Sequence, residues 1–422
     1  MSKAGEETDQ LKALQETIRY AATHSAFYRR LFSKLNLNPD SVQSLEDLRR
    51  IPFTTKDDLQ KENLDFICVP ANKIIDYITT SGTLGQPVTV VTTEKDLERL
   101  ASNECESLRC AGGSENEIYQ LMTTMDRRFM AGLAYFLGAR KLGAGIIRVG
   151  NGVPELQWDT IRRMKPTALI AVPSFLIKLI EYAKAQGFDP ADCSVKKAIC
   201  IGEPIRNSDF TFNTLGKRIT ESWPIDLYST YASTEMGAAF TECSAGRGGH
   251  YQSELLIAEL IGEDDRPVGA GQEGELVITT LGLEGMPLIR FRTGDICVAH
   301  SEPCICGRTS FRLGPIIGRK LQMIKFKGTS LYPPAVYDIL NANTKVNNYL
   351  VEVTTNDLGT DEVLVRIGTE VPGPELEKEL TEHFRARLRV APSIRFESPD
   401  RIRVEQMPEI SRKPILFLDK RH

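Results

Sequence analysis

Residues 167–202 of this 422-residue chain read TALIAVPSFLIKLIEYAKAQGFDPADCSVKKAICIG. The stretch begins with a short apolar run, residues 167–172, that is typical of a buried strand. Pro173 follows at the position where proline often begins a helix, and apolar residues then recur at three- and four-residue steps. A second apolar run covers residues 195–201. This order of strand, helix and strand predicts neighbouring strands of a parallel sheet covered by a helix.

The same alternation extends on both sides of this stretch. We predict strands at residues 144–149 and 225–231 and a helix through residues 158–164. From Glu273 onward the predicted strands are short and are separated by frequent glycine and proline, which indicates a smaller β-rich subdomain. The predicted fold class is therefore α/β, with a large N-terminal domain of helix-covered, mostly parallel sheets plus a β-rich subdomain.

The pattern changes again after Gly318 and Arg319. The elements predicted beyond that point are strands at residues 349–354, 362–367 and 394–397 and an amphipathic helix at residues 374–388. Roughly 100 residues is a normal size for a small α+β domain. We therefore expect an N-terminal domain of residues 1–318 and a mobile α+β C-terminal domain of residues 319–422.

Composition narrows the class of protein. Hydrophobic residues make up 41% and charged residues 26% of the chain, which is an ordinary globular composition. The net charge of -4 excludes a broadly basic surface, so we expect no nucleic-acid partner. The first residues, MSKAGEETDQ, lack the apolar core of a secretory signal, and no apolar run reaches the roughly 18 residues of a membrane span. We therefore expect a soluble, cytoplasmic protein without a membrane partner.

A glycine-rich stretch at residues 79–87, TTSGTLGQP, suggests an anion site. Gly82 and Gly85 allow backbone amides to approach a ligand closely, and the serine and threonine hydroxyls add donors, which suits phosphate. No Gly-Lys-Ser/Thr follows, so the stretch does not match the Walker pattern. Taken alone, the stretch fits a plain turn between strands equally well.

Thiol and imidazole side chains form a second candidate site. Cys243 and His250 are followed later by Cys304 and Cys306, which precede a glycine. Thiolates with one imidazole fit tetrahedral Zn²⁺, and a full set of protein ligands leaves no open position, so such a site would be structural. The alternative reading is loop thiols beside a surface histidine. We predict that Cys297, which lies nearby in the sequence, belongs to a strand and to the core.

Five motifs in order resemble those of a known family. They are residues 79–87, residues 228–235 (YSTYASTE), residues 292–295 (RTGD), Gly318 and Arg319 with residues 323–328 (MIKFKG), and Arg412 and Lys413 with residues 418–421 (LDKR). Together they resemble the adenylate-forming superfamily, and the Cys/His pattern resembles its phenylacetate–CoA ligase branch. The resemblance implies activation of a carboxylic acid with ATP to an acyl-adenylate, followed by attack of the coenzyme A sulfur.

The resemblance also implies roles for individual residues. Thr83, Glu235 and Lys413 would be catalytic, with Glu235 on Mg²⁺ and Lys413 between the carboxylate and the α-phosphate. Asp295 would accept the ribose hydroxyls, and Arg319 would reach the ribose or a phosphate. The remaining expected contacts are Gly328 at the CoA channel and, for the nucleotide, Thr80, Ser81, Gly82, Gly85, Gly202, Glu203, Pro204, Tyr231, Ala232, Ser233 and Thr234.

The chain departs from the family pattern within the glycine-rich stretch. The family's second threonine is Leu84 here and its lysine is Gln86, so one cation near the phosphates is missing. Simpler readings also exist for the matched residues: a solvated acid at a helix start for Glu235, a turn residue for Asp295, a basic surface tail for Lys413 and a turn glycine for Gly328.

The sequence leaves three functions open. The leading one is an AMP-forming acyl- or aryl-CoA ligase, with phenylacetate or another aryl acid as the candidate substrate. The second is adenylyl transfer to a non-CoA acceptor, as in relatives that adenylylate a deazaflavin cofactor. The third is a non-catalytic nucleotide-binding protein, which Leu84 and Gln86 favour.

The leading function implies a set of small-molecule partners. We expect ATP/AMP, Mg²⁺, coenzyme A and structural Zn²⁺ as cofactors and a carboxylic acid as substrate, with a homodimer left open. The acid pocket is expected in segments before Glu235, with candidates Tyr135, Phe136, Ser174 and Phe175.

Overall fold

The computed structural model describes residues 3–80, 88–356, 360–408 and 414–421. These residues divide into two compact units. The first draws on Met1–Phe212, Gly216–Thr293 and Cys297–Pro315, and the second draws on Asn213–Leu215, Gly294–Ile296 and Ile316–His422. The functional boundary between residues 318 and 319, and the mobility of the part after it, stay predictions.

The helices follow the apolar patterns of the sequence. Pro173 is the first residue of its helix, as predicted, and the helix predicted at residues 374–388 is confirmed with the same bounds. The helices of the described residues are α1 (Lys3–His24), α2 (Ala26–Lys34), α3 (Lys56–Lys61), α4 (Glu94–Cys110), α5 (Met130–Leu142), α6 (Pro154–Met164), α7 (Pro173–Ala185), α8 (Thr214–Ser222), α9 (Pro333–Ala342), α10 (Pro374–Leu388) and α11 (Pro399–Gln406).

Every apolar run that was predicted as a strand overlaps a strand of the structure, and many further strands were not predicted individually. In chain order the strands are β1 (Asp76–Thr79), β2 (Thr89–Thr92), β3 (Ile118–Leu121), β4 (Gly145–Arg148), β5 (Ala168–Ala171), β6 (Lys197–Ile201), β7 (Asp226–Ser233), β8 (Ala238–Glu242), β9 (Gly249–His250), β10 (Leu256–Ile261), β11 (Glu273–Thr280), β12 (Phe291–His300), β13 (Arg312–Leu313), β14 (Gly318–Arg319), β15 (Ile324–Phe326), β16 (Thr329–Leu331), β17 (Asn348–Thr355), β18 (Asp361–Gly368), β19 (Ser393–Glu397) and β20 (Phe417–Asp419).

One large mixed sheet has the strand order β10-β11-β12-β13-β9-β8-β7-β6-β5-β3-β4. The strands from β4 to β7 are parallel, and β5 lies beside β6 with Ala168 opposite Lys197, which confirms the predicted strand–helix–strand unit. The pairs from β7 through β8 and β9 to β13 and β12 are antiparallel. The region predicted as β-rich is confirmed as such, and its strands β11, β12 and β13 continue the same sheet.

Burial explains why the parallel strands have near-continuous apolar sequences. Ala168, Leu169 and Ile170 of β5 are all 0% exposed. A parallel strand covered by helices on both sides needs apolar side chains on both faces. The helix α7 contributes its own apolar face, of which Leu176 and Leu179 are 0% exposed.

The second compact unit contains a four-stranded sheet with the order β19-β18-β17-β20. The strands β17 and β18 are antiparallel, while β20 pairs with β17 and β19 pairs with β18 in parallel. The helix α10 adds Leu376, Leu380 and Phe384 to the same core, because residues four apart share one helix face. Among all described helices, none has both the length and the apolar character that crossing a membrane requires.

Candidate functional site

Thr80 and Val88, the described residues on either side of positions 81–87, are hydrogen-bonded to each other next to two paired strands. The strands β1 and β2 pair with Thr79 opposite Thr89. Beyond this pair, the backbone N–H of Thr80 donates to the carbonyl of Val88 at 2.9 Å, and the N–H of Val88 donates to the Thr80 hydroxyl at 3.3 Å. The predicted phosphate-binding residues Ser81, Gly82, Thr83 and Gly85, and the departures Leu84 and Gln86, lie outside the described residues.

Thr234 and Glu235 lie on the turn that joins β7 to β8. Ser233 pairs with Ala238 across this turn. Gly237 has a left-handed backbone with φ 54°, which glycine adopts without steric cost. Glu235 connects two strands and is half-buried, so its alternative reading as a solvated acid at a helix start is wrong.

A small cavity of about 20 Å³ adjoins this turn. Its wall includes Thr234 and Glu235 on one side and Val90 and Thr92 of β2 on another. The lining is completed by charged and apolar residues of α4, by Met130 of α5 and by apolar residues of the segment after β11; those of α4 are Asp96, Arg99 and Leu100. Two motifs that are far apart in the sequence, the Thr-Glu turn and the strand after the glycine-rich stretch, therefore share one cavity.

Arg99 of α4 anchors the Thr-Glu turn by a side-chain hydrogen bond. Sequence analysis did not identify this arginine. Its Nη1 donates to the carbonyl of Gly237 at 2.7 Å, its Nε to Leu281 at 2.9 Å and its Nη2 to Leu255 at 2.6 Å. Burial lowers the pKa of Arg99 to about 10, against a raising effect of nearby Asp96. A buried guanidinium bonded to backbone carbonyls has no sequence signature, because every residue offers a carbonyl.

The predicted nucleotide contacts Gly202, Glu203 and Pro204 follow directly after β6. Gly202 has a left-handed backbone with φ 76°. The carboxylate of Glu203 accepts the backbone N–H and the hydroxyl of Ser174, both at 2.9 Å, at the start of α7. Glu203 therefore fixes the first turn of α7, which is one of the segments expected to line the acid pocket.

A buried ion pair links this segment to the Thr-Glu hairpin. The Nε of Arg206 lies 2.9 Å from both carboxylate oxygens of Glu242, the last residue of β8. Glu242 also accepts the backbone N–H of Ser229 of β7 at 3.1 Å. Burial raises the pKa of Glu242, although the Arg206 charge acts against this. Neither residue was predicted, since the ion pair joins residues 36 positions apart.

The predicted ribose residues come together within the second compact unit. Asp295 and Arg319 are paired neighbours on β12 and β14. The Nε of Arg319 lies 3.1 Å from Oδ1 of Asp295, which is 7% exposed. Asp295 lies inside β12, so its alternative reading as a turn residue is wrong.

The predicted metal ligands also converge. The donor atoms of Cys243, His250, Cys304 and Cys306 all lie within 4.8 Å of one another. The Sγ atoms of Cys243 and Cys304 are 3.6 Å apart, and Cys306 Sγ is 3.5 Å from His250 Nε2. Two Zn–S bonds of about 2.3 Å at a tetrahedral angle separate their sulfurs by about 3.8 Å, close to the observed spacing. His250 is 4% exposed, so the reading as a surface histidine is wrong, and Cys297 is buried on β12 as predicted.

The last two motifs meet at Arg421. This guanidinium donates to the carbonyls of Met323 at 2.8 Å and Leu321 at 2.9 Å, and thereby ties the chain end to the segment after β14. Gly328, at the turn between β15 and β16, has a left-handed backbone with φ 80°. The turn by itself therefore accounts for this glycine, and its role at a CoA channel stays a prediction. Lys413 lies outside the described residues.

Comparison with known proteins gives consistent matches over most of the chain. The family model described as AMP-binding enzyme matches residues 10–284. The chain is 30% identical over 374 residues to the phenylacetate-coenzyme A ligase of Thermus thermophilus, which covers 86% of this chain and 82% of that protein. It is 31% identical over 336 residues to the enzyme of the same name from Escherichia coli K12, which covers 77% and 75% of the two chains.

A solved structure matches along the full length. A 2-hydroxyisobutyryl-CoA ligase, in complex with 2-HIB-AMP and CoA in the thioesterification state, is similar with a TM-score of 0.71 at 25% identity. The match covers 100% of this chain and 91% of the other.

Proposed function

Because the chain belongs to the AMP-binding enzyme family, we propose that it is an AMP-forming acyl-CoA ligase. It activates a carboxylic acid with ATP to an acyl-adenylate, releases pyrophosphate and then forms the CoA thioester with release of AMP. The relatives named phenylacetate-coenzyme A ligase support phenylacetate or another aryl acid as the substrate. A cytoplasmic location is part of the proposal and rests on the sequence alone, while the oligomeric state stays open.

One observation carries this proposal. The turn with Thr234 and Glu235 shares its cavity with β2, the strand that follows the glycine-rich stretch. A carboxylate in a cavity lined by this strand suits a metal–polyphosphate substrate, because Mg²⁺ prefers oxygen ligands and the sequence before β2 is rich in the donors that phosphates need. Neither a plain turn glycine nor a solvated acid requires the Thr-Glu turn to lie beside the strand that follows the glycine-rich stretch.

Each residue of the proposed active site has a separate task. Glu235 would hold Mg²⁺, which neutralises charge on the phosphates when it is bound. Arg99 holds the turn on which Glu235 lies. Asp295 would accept the ribose hydroxyls while Arg319 orients its carboxylate. Lys413 would place its ammonium where negative charge develops as the carboxylate attacks the α-phosphate.

We also propose that Cys243, His250, Cys304 and Cys306 bind one structural Zn²⁺. Their donor atoms all lie within 4.8 Å of one another, which suits a single ion, and four protein ligands leave no position for substrate. Cys243 directly follows β8, the strand that leaves the Thr-Glu turn. The ion would therefore fasten the far end of the hairpin that carries Glu235.

The zinc proposal predicts linked losses of metal and stability. Purified protein is expected to contain about one Zn²⁺ per chain, and His250→Ala and Cys304→Ser should lower both metal content and melting temperature. Elemental analysis and thermal unfolding measure these quantities. Cys110→Ser is the matched control, because Cys110 packs against Cys243 and Cys304 but is not one of the four converging donors. Metal-free wild type whose melting temperature is indifferent to chelator would refute the site.

The ribose assignment predicts weaker nucleotide binding. Asp295→Ala is expected to raise the ATP Kd by roughly 10- to 150-fold, because losing a charged hydrogen-bond partner costs about 1.5–3 kcal/mol. Isothermal titration of the full chain with ATP measures this change. Asp264→Ala, which removes an exposed carboxylate elsewhere in the chain, should leave the Kd unchanged. An unaltered Kd in Asp295→Ala contradicts the assignment.

The reaction itself is tested by pyrophosphate release with a panel of aliphatic and aryl carboxylic acids, with and without CoA. The proposal expects release that requires an acid, with an acyl-CoA thioester appearing when CoA is present. Acid-dependent release without any thioester would point to another acyl or adenylyl acceptor. No release with any acid would point to a non-catalytic nucleotide-binding protein.

A further inference from the structure

Two tight turns carry the candidate zinc ligands. In the first, the backbone N–H of Gly246 donates to the carbonyl of Cys243 at 3.0 Å, and in the second, that of Gly307 donates to the carbonyl of Cys304 at 2.9 Å. Gly246 and Gly307 have left-handed backbones with φ 59° and 87°, which glycine adopts without steric cost. The same kind of chain reversal therefore holds two cysteines that are 61 positions apart in the sequence.

Backbone amides of these turns bind two of the sulfurs. The N–H of Ala245 donates to Cys243 Sγ, and the N–H of Arg308 donates to Cys306 Sγ. In each turn the donor lies two residues after the cysteine. Hydrogen bonds to a charged acceptor are stronger than those to a neutral one, so these amides suit sulfurs that carry the negative charge of a metal-bound thiolate.

The guanidinium of Arg308 contacts the same sulfur. Its Nη1 lies 3.6 Å from Cys306 Sγ, so one residue offers this sulfur both a backbone and a side-chain donor. The titratable groups that act most strongly on the guanidinium are the thiols of Cys306, Cys110 and Cys243. Arg308 is half-buried. Its positive charge is thus held against the cluster of sulfurs.

Two other arginines near the cluster already have carboxylate partners. Arg312 donates to the carbonyl of Glu302 at 2.9 Å and lies 3.2 Å from its carboxylate. Arg206 binds both carboxylate oxygens of Glu242 at 2.9 Å. Within the part of the chain that the structure describes, no carboxylate forms an ion pair with Arg308. Its charge therefore remains available to the sulfurs.

The candidate zinc site calls for a positive charge beside it. Three thiolates and a neutral imidazole around Zn²⁺ leave the site with one excess negative charge. Three of the four ligand residues are buried, and a buried charge without a partner is costly. The guanidinium balances this charge, and it stays protonated at any physiological pH.

We propose that Arg308 binds the Cys306 thiolate, neutralises the zinc site and thereby determines how tightly the ion is held. This inference rests on the zinc proposal above. Arg308 is a positioning residue that acts on the metal through Cys306, because it is not one of the four converging donors. Groups that act on a metal through its ligands typically change metal affinity by roughly 10- to 100-fold.

Arg308→Met tests this role because it removes the charge but keeps much of the side-chain length. The Zn²⁺ Kd of the full chain, measured by competition with a chelator of known affinity, should rise roughly 10- to 100-fold. Arg308→Lys keeps a charged donor and should stay within about 5-fold of wild type. Arg247→Met is the matched control, since Arg247 is an exposed arginine between Cys243 and His250 and should leave the Kd unchanged. Circular dichroism in excess Zn²⁺ should be the same for all three variants, which shows that the fold is intact.

The sulfur-to-metal charge-transfer band of Co²⁺-loaded protein gives a second readout. Without the guanidinium the Cys306 sulfur donates electron density more readily, so the band should move to longer wavelength in Arg308→Met. Its intensity, which reports the number of bound thiolates, should stay the same. Four outcomes overturn the inference: an unchanged Zn²⁺ Kd in Arg308→Met, an equal loss in Arg308→Lys, an equal loss in Arg247→Met, or a band that does not move. Wild type that binds no Zn²⁺ would refute the zinc site itself, and the inference with it.

Discussion

Lys413→Ala is expected to slow acid-dependent pyrophosphate release by roughly 100- to 1000-fold, the usual cost of losing one group that stabilises developing charge. Thioester formation from pre-formed acyl-adenylate and CoA should stay near the wild-type rate. The reason is that the ammonium would act only in the transition state at the α-phosphate, which the second half-reaction does not pass through. Both rates are measured separately, with acid plus ATP in one assay and synthetic acyl-adenylate plus CoA in the other.

The chain after Lys413 is firmly anchored, so the substitution should not disturb the fold. The N–H of Ile415 donates to the carbonyl of Gln406 at 2.8 Å, and the carbonyl of Leu416 accepts from Val351 at 2.9 Å. Lys378→Ala, an exposed lysine on α10, is the matched control and should leave both rates unchanged. Equal losses in both half-reactions of Lys413→Ala would contradict a role confined to adenylation.

Arg366→Met is expected to destabilise the second compact unit by about 3–5 kcal/mol, because it removes the one buried cation of this network and leaves its carboxylates only the exposed side chains of Lys420 and Arg401. Arg366 donates to Glu397 and Glu405 at 2.6 Å and to Glu352 at 2.9 Å. These contacts join β17, β18, β19 and α11. Some amide hydrogens of β17 and β18 exchange with solvent only when this unit unfolds. Their exchange should therefore become at least roughly 100-fold faster.

The control for Arg366 is an arginine in the same network. Arg401 lies 3.0 Å from Glu397, but its side chain is 69% exposed, so Arg401→Met should cost no more than about 1 kcal/mol. Tryptophan fluorescence gives an internal reference, because both tryptophans, Trp158 and Trp223, lie in the first compact unit. Equal exchange rates in the two methionine variants would refute the central role of Arg366.

The Arg366 network also predicts how the stability difference between wild type and Arg366→Met depends on pH. Hydrogen bonds from Arg366 hold the pKa of Glu397 and of Glu405 below the ordinary value. A carboxylate with a lowered pKa stabilises the fold above its ordinary pKa, near 4.5, and loses that contribution as pH falls through the lowered value. The stability difference between wild type and Arg366→Met should thus be full at neutral pH and shrink below about pH 4.5. Unfolding measured at several pH values checks this.

Local patterns predicted the elements of the fold well. The run at residues 167–172 became β5, Pro173 began α7, and α10 has its predicted bounds, because apolar periodicity directly reports which face is buried. The extent of the large sheet was not predictable in this way. Apolar alternation does not specify which strands are neighbours, so the sequence did not predict that the β-rich region from Glu273 onward extends the same large sheet.

The candidate site also combines features that the sequence determined with features that only the tertiary structure decided. The sequence by itself determined the residue types and order of the motifs, the Cys/His donor set and the family resemblance, since these depend on identity and spacing alone. Only tertiary structure decided that Cys243 lies 3.6 Å from Cys304, that Arg99 binds the carbonyl of Gly237, and that Arg128 meets Thr79. Such contacts join residues far apart in the chain, and two of the three use backbone carbonyls, which every residue carries. No local pattern encodes them, because their energy exists only once the fold has brought both partners together.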